Sequence, residues 1–142
     1  MAKKEQTILV TGTRKRAIAV ASISKGTGKI RINSRLLDII EPRYVRIRIK
    51  EPLIIANDIQ KDLTENVDID VKVRGGGVWG QADAVRTAIA KALVSFSKSK
   101  ELKEAFLDYD RSIIIPDDRR TEPHKPSRSK AGPRRTKQQS KR

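Results

Sequence analysis

Val67-Asp-Ile-Asp-Val-Lys-Val73, Arg74-Gly-Gly-Gly-Val-Trp-Gly80 and Gln81 to Phe96 follow one another without interruption, and their reading decides the fold. The first piece alternates. Val67, Ile69, Val71 and Val73 point one way and Asp68, Asp70 and Lys72 the other, the period of a half-buried strand. The last piece repeats Val85, Ala88, Ile89, Ala92, Leu93 and Phe96 at helical spacing, which predicts a half-buried amphipathic helix with Arg86, Lys91 and Lys98 on its wet face. A strand joined to a helix through glycines belongs to a mixed α/β or α+β fold.

Upstream, Ile8-Leu9-Val10 and Ala17 to Ile23 read as strands, with Ile18 and Val20 on one side of the pleat and Ile23 on the other. Thr11-Gly12-Thr13 reads as a turn between them. Lys29 to Asn33 alternates strictly, and Lys25-Gly26-Thr27-Gly28 has the residues of a hairpin loop, so Ala17–Ile23 and Lys29–Asn33 are expected to pair. Ser34 can cap a short helix carrying Leu36, Leu37 and Ile40 and ending near Pro42. From Val45 to Ile49 the pattern suits a strand, its surroundings suit a helix, and Pro52 interrupts either. Downstream, Lys100 to Tyr109 predicts a helix that buries Leu102 and Phe106, with Tyr109 a further candidate, and Ile113-Ile114-Ile115 reads as a last strand before Pro116. These elements make one small mixed sheet packed with helices over residues 1–115.

Charge separates that body from the rest of the chain. The 142 residues include 32 Lys and Arg against 17 Asp and Glu, a net charge of +15. From Arg119 to Arg142 there are ten Lys or Arg, one Glu and one apolar residue, Ala131, so 24 residues carry +9. A segment with one apolar side chain cannot offset the entropy of its own ordering. Residues 116–142 are therefore expected to be an extended basic tail, ordered only by a polyanion such as nucleic acid. With no Cys, disulfide scaffolds and thiolate chemistry are excluded. No charge-free stretch exceeds eight residues, against the roughly 20 of a membrane span. The apolar Ile8-Leu9-Val10 behind the basic start is too short for a signal peptide, so a soluble protein that stays where it is made is expected.

Few residues offer catalytic chemistry. Gly75, Gly77 and Gly80 satisfy GxGxxG between a strand and a helix, but the chain that follows is too short to complete a dinucleotide-binding sheet, and Glu101 lies on a helix rather than after a second strand. The same glycines can serve a tight turn, or leave backbone N–H groups free for a nucleic-acid phosphate. Gly26-Thr27-Gly28-Lys29 is no phosphate loop, since Ile23 and Ile30 stand where a Gly and a Ser or Thr are needed. Asp68 and Asp70 share a strand face, as surface carboxylates commonly do, and nothing marks them as metal ligands. His124 sits in the basic tail, where nothing could hold it in a catalytic triad. Trp79, the only tryptophan, is expected to be buried against the sheet, with stacking on a base as the alternative. Arg14-Lys15-Arg16, with the tail, Arg74 and an exposed Arg86 and Lys91, could form one continuous basic surface for RNA. No cofactor, metal or small-molecule substrate is implied.

Thr11-Gly-Thr-Arg-Lys-Arg-Ala17, Gly26-Thr-Gly-Lys-Ile-Arg-Ile-Asn33, Arg74-Gly-Gly-Gly-Val-Trp-Gly-Gln81 with Ala88-Ile-Ala-Lys-Ala-Leu93, and the closing Gln139-Ser-Lys-Arg142 together resemble the S-nine family of small-subunit ribosomal proteins. The stretch Arg119 to Lys130 resembles its archaeal branch. The resemblance spans essentially the whole chain and implies a non-enzymatic constituent of the cytoplasmic ribosome. The implied place is the head of the small subunit, beside other head proteins and on the 3′ major domain of the rRNA. It further implies a body similar to the second domain of the fifth small-subunit protein, with a left-handed βαβ crossover. The residues expected to contact rRNA are Arg14, Lys15, Arg16, Arg74, Gly75, Gly76, Gly77, Arg86, Arg119, Arg120, Lys125, Arg128, Lys130, Arg134, Arg135 and Lys137, of which the resemblance implies Arg134, Arg135 and Lys137 as the approach to the tRNA. Lys141 and Arg142 are implied to touch the anticodon stem-loop of peptidyl-site tRNA. RNA duplexes hide base edges in a deep groove, so an extended row of Lys and Arg grips phosphates and 2′-hydroxyls instead. A basic tail alone would equally suit a DNA-binding architectural protein.

Overall fold

The computed structural model describes residues 7–124. Strands β1 (Ile8–Arg14), β2 (Ala17–Lys25), β3 (Ile30–Ile32), β4 (Arg35–Leu36) and β5 (Val67–Arg74) form one mixed sheet in the order β1-β2-β5-β3-β4. Helices α1 (Arg43–Ile59), α2 (Val78–Ser97) and α3 (Lys100–Tyr109) accompany two single 3-10 turns, at Leu37–Ile39 and Arg111–Ile113. The class is α+β, one of the two that the sequence pattern allows.

The central strand keeps its alternation, with Val67, Ile69 and Val71 buried and Asp70 and Lys72 exposed. Its neighbours differ from expectation. β5 lies between β2 and β3, antiparallel to the first and parallel to the second, so the expected hairpin pairing of β2 with β3 does not form. Backbone N–H groups of the intervening loop are drawn to β5. Gly26 N donates to Asn66 O at 3.0 Å, and the Asp68 carboxylate accepts from Thr27 N at 2.8 Å and Lys29 N at 2.9 Å. Alternation tells which way a strand faces, not which strand lies beside it.

β2 turns its small side chains inward: Ala17, Ala19, Ala21 and Ile23 are fully buried, while Ile18 and Val20 face out. The reason is the closeness of α2. Gly12 is part of β1 rather than a turn, and a Cβ placed there would stand 2.2 Å from the Ala84 carbonyl oxygen and 2.6 Å from Ala88 N. Helix and sheet approach almost backbone to backbone, and only glycine fits the contact point. α2 is buried more deeply than a half-buried helix, with Ala82, Ala84–Ala90, Ala92 and Leu93 all inside. The turn between β1 and β2 is Lys15–Arg16, with Lys15 at φ 53°.

Val45, Ile49, Leu53 and Ala56 share the buried face of α1, which settles the ambiguous stretch as helix. Pro52 lies within it, and a proline inside a helix costs about 3 kcal/mol. Burial of those side chains, roughly 1.5–3 kcal/mol for each large one, more than offsets that cost. The short helix expected after Ser34 is replaced by β4 and a 3-10 turn that buries Leu37. Asn33 explains the change. Its side chain continues the ladder, accepting from Val73 N at 2.9 Å and donating to Val73 O at 3.2 Å, and Asn33 and Ser34 then turn the chain at φ 48° and 68°. The expected last strand at Ile113–Ile115 is likewise a 3-10 turn over Arg111–Ile113, because Asp110 caps it by accepting from Ser112 N at 2.8 Å. α3 matches expectation in burying Leu102 and Phe106, while Tyr109 is exposed.

Candidate nucleic-acid interface

The order of elements brings several distant segments to one end of the sheet. Arg14 stands opposite Ala17 and Ile18 opposite Arg74, so the Lys15–Arg16 turn and the end of β5 are neighbours. The glycine loop rests on that turn. A Cβ on Gly75 would meet Arg16 O at 2.6 Å and one on Gly76 would meet Ala17 N at 3.0 Å, and both glycines have positive φ, 76° and 69°. These two are therefore required by the fold itself. Gly77 is different, since a Cβ there would meet nothing within 4 Å. Lys15, Arg16, Arg74 and the three glycines are all exposed.

Both long helices begin at this same end. β3 and β5 are parallel, α1 follows β3 and β4, and α2 follows β5, so α1 and α2 run side by side in one direction. Three rungs join them in order: Tyr44 stacked on Trp79 at 4.7 Å, Arg48 Nε to Asp83 Oδ1 at 3.2 Å, and Arg86 Nε to Glu51 Oε2 at 2.6 Å. Neither helix has an acidic residue in its first turn or a capping side chain at its start. The unsatisfied N–H groups of two parallel helices add positive potential to a region already rich in cations.

Two predicted contact residues are otherwise engaged. Arg86 is not exposed: at 2% accessibility it lies between Glu51 and Asp110, with NH2 3.0 Å from Asp110 Oδ2 and NH1 donating to Ser112 Oγ at 3.3 Å. Helical spacing put it on the wet side, but α1 and the 3-10 turn after α3 cover that side. Burial pushes the Asp110 carboxyl up. Hydrogen bonds from the Ser112 hydroxyl and N–H and from Arg86 outweigh this and hold it below its ordinary value. Arg14 is half-buried, ion-paired with Asp117 and, through Nε, 3.7 Å from Asp83 Oδ2. Asp117 accepts from Arg119 N at 2.9 Å, and this bond, with the one from Arg14, keeps its carboxyl low. Arg120 NH1 donates to Lys15 O at 3.1 Å. Arg120 thus lies against the Lys15–Arg16 turn.

Trp79 is not buried against the sheet; it is 55% exposed and Tyr44 51%. The sequence signal for this was available, since Trp79 is out of phase with Val85, Ala88 and Ile89. Tyr44 and Arg43 were missed as site residues because their stretch fitted strand and helix equally. Lys91 donates to Thr11 O at 3.3 Å, on the flank of β1. At the opposite end of the sheet, Lys25, Lys29 and Lys61 are set among Asp58, Asp62, Glu65 and Asp68. There the two backbone N–H groups of Lys29 and Thr27 hold the Asp68 carboxyl below its ordinary value. Lys125, Arg128, Lys130, Arg134, Arg135, Lys137, Lys141 and Arg142 lie outside the described residues.

The described residues make a compact α+β body with a cationic end, and they contain no cluster of three or more side chains that could hold a metal ion. The family model described as ribosomal protein S9/S16 matches residues 12–142, and the chain belongs to that family. It is 49% identical over 129 residues to the small ribosomal subunit protein uS9 of Methanococcus maripaludis strain C7, covering 91% of this chain and 93% of that one. The uS9 protein of Methanococcus vannielii is equally similar, 49% over the same length and shares. These relatives are archaeal, as the resemblance of residues 119–130 implied. Membership makes the chain a structural, non-enzymatic ribosomal protein of the small subunit. No helix among the described residues is long and apolar enough to cross a membrane.

Proposed function

We propose that the cationic end is the face this protein sets against rRNA of the 3′ major domain in the head of the cytoplasmic small subunit, among other head proteins. The tail then continues the contact toward peptidyl-site tRNA. One observation carries this: the Lys15–Arg16 turn, Arg74 with its glycine loop and the root of the tail meet at a single end of the sheet. Lys15, Arg16, Arg74, Arg119 and Arg120 are the body's phosphate contacts. Gly77 offers its backbone where no side chain stands in the way. Arg14 and Arg86 act as positioning residues, the first fixing the tail's root and the second joining α1 to α3 and its turn.

Along the tail, Lys125, Arg128, Lys130, Arg134, Arg135 and Lys137 neutralise phosphates from converging RNA segments, releasing condensed counterions. Lys141 and Arg142 reach the anticodon stem-loop. Contacts there are to backbone rather than base edges, so every tRNA is served alike. The same reading takes the β3–α1–β5 unit as a left-handed crossover and the body as similar to the second domain of the fifth small-subunit protein. Deleting Lys141 and Arg142 is expected to leave subunit assembly intact and weaken peptidyl-site tRNA binding in purified subunits. Unchanged tRNA affinity would refute the assignment of those two residues. Equal competition by duplex DNA and by the 3′ major domain transcript would refute the choice of RNA.

A further inference from the structure

We propose that the outer face of Trp79, held flat by Tyr44, is a stacking platform for an unpaired base of the ribosomal RNA. This rests on the rRNA reading above and adds to it a class of ligand, a single-stranded or bulged nucleotide rather than a duplex.

The pair has no evident duty in the core. α1 and α2 are already joined by two ionic rungs, Arg48 with Asp83 and Glu51 with Arg86, and the buried faces of both helices lie elsewhere. Yet the two rings are ordered against each other, 4.7 Å apart and 16° from parallel, with half of each residue's surface open to solvent. Tyr44 covers one face of the indole and holds its orientation, so a base arriving at the other face has little side-chain entropy to remove. An indole carries a large apolar face, and exposing it at the rim of a folded body loses the gain of burial unless a ligand covers it.

The surroundings choose between a base and a protein side chain. Arg43 adjoins Tyr44, and Arg74 opens the glycine loop that ends two residues before Trp79; both arginines are exposed. The starts of α1 and α2 add their N–H groups to the same region. A cleft of about 430 Å³, lined by the pair's chain neighbours Val45 and Val78 but not by the rings themselves, opens between those helix starts and the β3–β4 turn, with Asn33, Arg35, Glu41 and Gln81 as its polar lining. A flat ring flanked by phosphates matches an aromatic platform among arginines, and stacking of this kind tolerates any base. In a duplex the bases are stacked on one another and cannot reach it.

Trp79 is the only tryptophan in the chain, so its fluorescence reports on this site alone. The full-length protein is titrated with the 3′ major domain transcript while affinity is followed independently. Quenching of Trp79 on binding is expected. Trp79→Ala is expected to weaken binding by about fivefold to a hundredfold, with Trp79→Phe retaining most of the affinity. Both variants should melt as the parent does, because the side chain is exposed. Binding with unchanged fluorescence and an unchanged Trp79→Ala affinity overturns the platform and leaves the rRNA reading standing. Absence of transcript binding overturns both. Shielding of Trp79 from acrylamide that appears only when head proteins are added, and not with RNA, overturns the platform in favour of a protein contact.

Discussion

The two ends of the sheet carry similar numbers of cations on the body and use them differently. Lys15, Arg16 and Arg74 crowd around a two-residue turn and a glycine loop at one end, where Asp117 is paired with Arg14 and Asp83 with both Arg48 and Arg14. Lys25, Lys29 and Lys61 at the other end are set among Asp58, Asp62, Glu65 and Asp68, and there Asp68 spends its charge on loop N–H groups. Helix direction deepens the contrast, because α1 and α2 both begin at the first end. The difference teaches that a net charge of +15 does not by itself locate an interface. Topology adds the missing information, by deciding which cations are brought together at one end of the sheet.

Removing the ties that hold the cationic end in place should produce the largest effect. Arg86→Ala would leave Glu51 and Asp110 facing an empty buried site, and loss of one partner of a buried pair costs about 3–5 kcal/mol. Chemical denaturation should show this loss, while the folded fraction keeps the parent's salt dependence of RNA binding. Gly12→Ala should cost slightly less, about 1–3 kcal/mol, because the added methyl must push α2 away from β1. A melting point equal to the parent's would contradict the close approach.

Acid titration should separate the ends less sharply. Asp68, Asp110 and Asp117 all have carboxyls held below their ordinary value of 3.8. A carboxyl lowered in the folded state contributes stability that is complete above its unfolded value and is lost as pH falls through its folded one. Stability should therefore be flat above about pH 5 with respect to these groups and fall below about pH 4. Asp68→Asn should flatten that fall, and acid unfolding curves that superimpose for parent and variant would contradict it. Smallest of all is Gly77→Ser. A serine there supplies the capping oxygen that α2 lacks, a gain of a few tenths of a kcal/mol in stability. The same side chain intrudes where a phosphate would approach, so RNA affinity should fall while the melting point holds or rises.

Much of this was readable from residues alone. The strand, glycine loop and long helix from Val67 onward declare themselves because their periods differ. Pairing was not readable. The alternation of Lys29 to Asn33 is the same whether β2 or β5 lies beside it, and only the use of Asp68 as a loop cap reveals the choice. Burial on the second side of α2 was equally hidden. Arg86 looks like any surface arginine until α1, itself ambiguous around Pro52, is placed over it with Glu51 in reach. Gly12 reads as a turn signal in one dimension, whereas its meaning is a helix lying on a strand. Trp79 shows the opposite error, since a lone tryptophan usually belongs inside and only its phase along the helix hinted otherwise.

The gathering of cations at one end of the sheet is tested most directly by exchanging which end is neutralised. Binding of the full-length protein to the 3′ major domain transcript is measured against salt for two triple variants, Lys15→Ala/Arg16→Ala/Arg74→Ala and Lys25→Ala/Lys29→Ala/Lys61→Ala. The first is expected to reduce the slope of log affinity against log salt by about two to three, at roughly 0.7–0.9 per lost phosphate contact, and the second to leave it unchanged. Equal slopes for the two variants would contradict the account.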